Sequence, residues 1–66
     1  MKIGSNTKSY LLTPDELAEY LKISKITVYR LAEKRQIPFF KVKGSLRFAE
    51  YDVLKFLEAN RIRPIY

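Results

Sequence analysis

The apolar positions of this chain follow two periods, and the change from one to the other marks its elements. At Leu12-Thr13-Pro14-Asp15-Glu16-Leu17 the local chemistry predicts a helix start, with Thr13 as N-cap, Pro14 at the first helical position, Glu16 closing a capping box and Leu12 stapling onto Leu17. Leu17, Ala18 and Leu21, spaced i, i+1 and i+4, give this helix a buried stripe and carry it to about Leu21. Lys22-Ile23-Ser24 breaks the pattern. Ser24 then caps a second helix through about Lys34, with Val28, Leu31 and Ala32 facing inward. The helical period is lost at Ile37-Pro38, because Pro38 lacks a backbone N–H and biases Ile37 towards extended geometry. Phe39-Phe40-Lys41-Val42-Lys43 and Leu46-Arg47-Phe48 alternate polar and apolar around Gly44-Ser45, which reads as a tight hairpin turn. A third helix is expected over Glu50–Asn60, with Val53, Leu54, Phe56 and Leu57 as its apolar face.

These elements predict a mainly α fold with a small β-hairpin, namely a winged helix-turn-helix of three helices plus a two-stranded wing over residues 10–60. Residues 1–9 are small and polar without a period and are expected to form a flexible arm; its Lys2 and Lys8 could also reach a minor groove. Residues 61–66 contain Pro64 and no sustained period, and are expected to pack loosely as a C-terminal tail.

Composition sets the limits of what such a domain can do. Sixty-six residues make one small domain, and 47% hydrophobic residues with only two Gly are enough for one core without disulfides or metal. The absence of Cys and His removes thiolate nucleophiles, imidazole bases and the usual zinc ligands, so no reaction, cofactor or small-molecule ligand is expected. No apolar run approaches the ~18 residues that span a bilayer, and Met1-Lys2-Ile3-Gly4-Ser5 lacks a secretory apolar region; the expected place is the cytoplasm, with no membrane partner.

Charge changes the picture more. Residues 22–47 hold eight of the thirteen Lys/Arg and one of the seven acids, a local +7 within a chain of net +6. The basic charge is therefore regional, which is the footprint of a polyanion partner. In a helix-turn-helix the second helix enters the major groove and shows its N-terminal residues to base edges. Here that outward face carries Lys25, Ile26, Tyr29, Arg30 and Glu33, whereas the first helix, with Asp15, Glu16 and Glu19, is too acidic to lie on phosphate.

Each candidate has an ordinary reading beside the functional one. Arg30 can bond guanine or phosphate in bidentate fashion, or pair with Glu33 or Glu19. Lys25 can reach phosphate or guanine, or simply be solvated. Ile26 is either an exposed contact for a thymine methyl or part of a wider core face. Tyr29 offers a hydroxyl to phosphate or a partly buried ring, and Thr27 bonds phosphate or a helical carbonyl. Ser24 and Lys34, at the two ends of the helix, complete its set of candidates. On the hairpin, Lys41 and Lys43 at period two are expected to share the face opposite to Phe40 and Val42, either straddling the DNA backbone or protecting an edge strand. Arg47 suits a narrow minor groove. Phe39, Phe40 and Phe48 read as core rather than as a stacking platform for single strands.

Four blocks together, Leu11 to Leu21, Ser24 to Lys34, Ile37-Pro38-Phe39 and Leu46-Arg47-Phe48, resemble the excisionase-type helix-turn-helix family, which is related in fold to the DNA-binding half of MerR-type regulators. The resemblance spans about residues 10–59. It implies an excisionase-like architectural factor or a small transcriptional regulator that binds double-stranded DNA, with Thr27, Tyr29 and Arg30 on the recognition helix and Arg47 on the wing as contacts. Lys22 and Arg35 stand where the family has Gly, so each is expected to adopt a left-handed backbone at about 1 kcal/mol. No heptads follow the third helix, so a coiled-coil dimer of the MerR kind is not expected; one module makes few phosphate contacts, which points to further copies on adjacent sites or to an integrase as partner. The alternative is a protein-interaction adaptor that uses the same fold without DNA.

Overall fold

Both helices of the helix-turn-helix begin on the side-chain caps that the sequence specifies. In a computed structural model, which describes residues 11–65, Thr13 Oγ1 accepts from the Glu16 N–H at 3.1 Å while Glu16 Oε1 accepts from the Thr13 N–H at 2.9 Å. This capping box starts α1, Pro14–Leu21. Helix α2, Lys25–Glu33, starts on Ser24, whose Oγ accepts from the Thr27 N–H at 3.1 Å. The expected arm over residues 1–9, together with Tyr10 and Tyr66, lies outside the described residues.

The two helices also stop in the same way. Lys22 takes φ 60° and ψ 43°, and the next N–H, that of Ile23, donates to the Ala18 carbonyl at 3.0 Å. After α2, Arg35 takes φ 57° and the Gln36 N–H donates to the Leu31 carbonyl at 2.9 Å. Both are Schellman-type stops, in which one left-handed residue lets the following N–H reach back across the last turn. The two non-glycine departures from the family pattern thus do carry the left-handed backbone expected of them.

The wing is formed by β2, Phe40–Val42, and β3, Ser45–Ala49, in antiparallel register with Phe40 opposite Arg47, Lys41 opposite Leu46 and Val42 opposite Ser45. Its turn is Lys43-Gly44, not Gly44-Ser45. Lys43 and Gly44 have φ 51° and 84°, and positive φ at both central residues is what a two-residue type I′ turn demands. Ser45 is consequently the first residue of β3. A third strand that the pattern does not announce, β1 at Leu11–Leu12, pairs with the other edge of β3, Leu11 opposite Ala49 and Leu12 opposite Phe48, giving the order β1-β3-β2 among the described residues.

Helix α3, Glu50–Ala59, follows β3 directly and packs back on it, as does α1. The core consists of Leu17 and Ala18 from α1, Val28 and Ala32 from α2, Ile37 from the connection, Phe48 from β3 and Val53 from α3. Ile37, which shows no period, is buried because the stop at Arg35 turns the chain back under the helices. Leu12, Leu21, Ile23, Leu31, Phe39, Leu46 and Phe56 pack around this centre. Leu54 and Leu57 do not: both are exposed, since α3 rests on β3 along one narrow stripe, through Val53 and Phe56, rather than along the broad face expected. Phe40 and Val42 are likewise exposed, because the register of the wing turns them away from the core. The Phe39 and Phe48 rings meet edge to face, with centroids 6.4 Å apart and planes at 61°, which fits packing and not a base-stacking platform. Residues 61–65 form no regular element, and Ile62 and Ile65 are almost wholly exposed.

Lys22→Gly removes a left-handed penalty of roughly 1–2 kcal/mol but loosens the unfolded chain by about 0.4–1 kcal/mol, so a net gain of about 0.5–1 kcal/mol is expected, seen as a Tm rise of about 2–8 °C in thermal unfolding. Phe48→Ala, at a site of 0% exposure, should cost about 3–5 kcal/mol and leave so small a domain largely unfolded at 25 °C by circular dichroism.

Candidate nucleic-acid interface

Because Val28 and Ala32 are buried and Leu31 is half-buried, the helical period leaves Lys25, Ile26, Tyr29, Arg30 and Glu33 of α2 on the open side, and all five are exposed. Ile26 is 64% exposed, which decides against a wider core face. Tyr29 is exposed next to it, one turn from Lys25 and Glu33. Arg30 has neither Glu33 nor Glu19 as an ion-pair partner: among the described residues the pairs are Lys25–Asp15, Arg61–Glu58 and Arg63–Glu58. Its guanidinium is therefore free to meet an anion.

Lys25 is exposed and has an ion-pair partner within the chain. Its Nζ lies 3.2 Å from Asp15 Oδ1 of α1, a solvent-exposed pair that links the first turns of the two helices. A cation in the first turn of a helix faces the positive end of the helix dipole, and Asp15 offsets that. Such an exposed pair contributes little stability and exchanges readily for another anion. Ser24 and Thr27 are partnered with each other as well, their hydroxyl oxygens 2.9 Å apart in an exposed pair at the cap, so the Thr27 hydroxyl bonds Ser24 and not a helical carbonyl. Lys34 caps the C-terminus of α2 and is exposed.

On the wing, Lys41 and Lys43 do not share a face. Lys41 stands opposite Leu46, which packs on the core, so it lies on the inward side of the sheet, past the edge of the core where it is exposed; Lys43 sits in the turn itself. The shift of the turn by one residue is the cause. Arg47, half-buried, points to the outer face opposite Phe40, and its Nη1 donates to the Leu46 carbonyl at 2.7 Å. That bond draws the guanidinium along its own strand.

Two further basic groups join the surface. Lys22 is exposed at the turn between α1 and α2. Arg35 is exposed just beyond α2 and its guanidinium carbon lies 5.7 Å from the centroid of the Phe39 ring, a cation–π contact that fixes its direction. The sequence marks both positions only as missing glycines; their regional charge was the available signal. The recognition-helix and wing candidates thus lie on elements that follow one another along the chain, and from Lys34 to Ala49 there is no carboxylate. Among the described residues there is no group of three or more His, Cys, Asp or Glu that could hold a metal, and no helix is long and apolar enough to cross a membrane.

Two capped helices joined by a three-residue turn, the second open and basic on its outer side, followed by an antiparallel wing, define a winged helix-turn-helix. The chain matches the family described as helix-turn-helix domain over residues 11–61, and it belongs to that excisionase-type helix-turn-helix family. Two Mycobacterium tuberculosis proteins are similar to it, "Putative DNA-binding protein Rv0500A" of strain ATCC 25618 / H37Rv and "Putative DNA-binding protein MT0521" of strain CDC 1551 / Oshkosh; each is 37% identical over 57 residues, covering 86% of this chain and 73% of the relative. No solved structure matches the chain significantly.

The cap of α2 bears on the whole recognition surface, since Lys25 and Ile26 occupy its first turn. Ser24→Ala should therefore cost about 1 kcal/mol and raise amide hydrogen exchange in the first turn of α2 while leaving that of α1 unchanged.

Proposed function

We propose that this protein binds double-stranded DNA in a sequence-specific manner, with residues 24–34 in the major groove and the wing, residues 39–48, on the adjacent backbone and minor groove. The observation that carries the reading is the open face of α2: an unpaired Arg30 beside exposed Ile26 and Tyr29, on the helix that this fold presents to DNA. Arg30 suits guanine O6 and N7, and Ile26 suits a thymine methyl. Lys25 exchanges Asp15 for a phosphate, with Ser24, Thr27 and Tyr29 at the phosphate rim near it and Lys34 at the far end of the helix. Lys41 and Lys43 approach the backbone from different sides of the hairpin, and Arg47 enters the minor groove once its bond to Leu46 is given up.

The names of the two mycobacterial relatives agree with this reading. A charge footprint this short supports a working unit of several copies on adjacent sites, or of one copy beside an integrase or other recombinase. The role is that of an excisionase-like architectural factor or a small transcriptional regulator. Footprints that flank recombination ends support the first, and footprints at promoters the second.

Selection of sites from random duplexes, followed by titration of the selected duplex, tests the proposal. Arg30→Ala should lose about 1–3 kcal/mol of binding and relax preference at one position, while Lys41→Ala and Lys43→Ala should weaken all sequences alike and each lower the salt slope by about 1. Asp15→Asn, which releases Lys25 and removes a charge facing phosphate, should strengthen binding about two- to fivefold at low salt. Undetectable binding at low salt, or indifference to Arg30→Ala combined with Lys25→Ala, overturns DNA binding and leaves the protein-interaction adaptor as the reading.

A further inference from the structure

The outer face of the wing carries apolar side chains that the fold leaves uncovered, and of its residues only Arg47 has been given a contact above. Phe40 and Val42 alternate on β2, Phe40 across from Arg47 and Val42 across from Ser45, on the side of the sheet that points away from Leu46 and Phe48. They remain 53% and 48% exposed. A core of seven buried residues leaves few large side chains to spare, and these two are withheld from it by strand alternation, since they share the face of Arg47 and Ser45 while Leu46 and Phe48 point inward.

What could cover this face is limited by its surroundings. The segment from Lys34 to Ala49 carries five basic residues and no carboxylate, and Arg47 is the charged member of the face itself. A second copy docked here would bring like charges together, over two side chains where a stable interface buries about 800 Å² per partner. A polyanion with apolar surface between its charges fits better, and the groove rim of duplex DNA has that composition, with deoxyribose carbons set between phosphates. The strands of a sheet are about 4.8 Å apart and the minor groove is about 6 Å wide, so the two strands with their side chains lie across the rim, and only the long Arg47 extends past it into the groove.

We propose that Phe40 and Val42 form an apolar contact with the deoxyribose rim of the minor groove, beside Arg47, and supply a share of DNA affinity that salt does not screen. The proposal rests on the DNA-binding reading above. A contact of this kind is not base-specific and releases no counterions, so it has a signature distinct from that of the lysines: its loss lowers affinity for every duplex by the same factor and leaves the slope of log K against log salt unchanged.

The test uses the full chain, a fluorescein-labelled mixed-sequence duplex of about two helical turns, and anisotropy titrations between about 50 and 200 mM salt. Phe40→Thr and Val42→Thr keep strand propensity while removing the apolar surface, and, both sites being exposed, the variants should keep the Tm of the unsubstituted protein. The expected result is about a tenfold loss of affinity for Phe40→Thr and about a threefold loss for Val42→Thr, with unchanged slope, whereas Lys41→Ala lowers the slope. Should Phe40→Thr fail to fold, Val42→Thr carries the test with its smaller loss. Unchanged affinity in the folded variants overturns the proposal, as does a loss accompanied by a smaller slope, which would mean that the phosphate contacts had moved. If sedimentation velocity shows the free protein self-associating, and Phe40→Thr abolishes that with DNA affinity intact, the face belongs to a second copy. If the unsubstituted protein does not bind duplex at all, the functional reading fails first, and that outcome is separate from the others.

Discussion

Every other element of this domain is referred to strand β3 and to the one ring buried in it. Phe48 has 0% exposure, meets Phe39 edge to face and sits in a strand that pairs with β1 on one side and β2 on the other while α1 and α3 pack on it. In a chain near the lower size limit for a single core, one aromatic of this kind contributes a large part of the available apolar burial. It also fixes direction: because side chains alternate along a strand, placing Phe48 inward places Leu46 inward and Arg47 outward without further choice.

The recognition helix is held at one remove from that centre. Helix α2 rests on α1 through Val28 and Ala32 against Leu17 and Ala18, and small side chains at positions 18 and 32 let the helices approach closely. Its N-terminus is set by Ser24 and its C-terminus by the left-handed Arg35, so the length of the presented face is defined by caps and not by the surface residues themselves. The exposed positions are thereby released from structural duty. This explains how Ile26 stands in solvent and Arg30 without an ion pair in a molecule with little stability to spare.

The helix starts, the three-residue turn and the inward stripes of α1 and α2 were legible because each rests on interactions within a few residues, with Thr13 and Glu16 as the clearest instance. The left-handed Lys22 and Arg35 were legible only through likeness to a family that has glycine there. The wing was harder to read. Gly44 flanked by Lys43 and Ser45 allows two placements of a two-residue turn, and moving the turn by one residue shifts every cross-strand partner by two and takes Lys43 out of the strand without exchanging the faces of the other residues. Strand β1, two residues long, has no period to detect, and its pairing with β3 is a contact between distant parts of the chain.

By itself, then, the sequence determined the three helices, the side-chain caps that start α1 and α2, the regional basic charge and the face that α2 turns outward, all of which depend on residues close in sequence and on a helical period that survives any error of a residue at either end. The tertiary structure decided the register of the wing, the burial of Ile37, the exposure of Phe40, Val42, Leu54 and Leu57, and the pairing of Lys25 with Asp15. Each of these depends on which distant surface arrives opposite a given side chain, and a period along the chain carries no information about that.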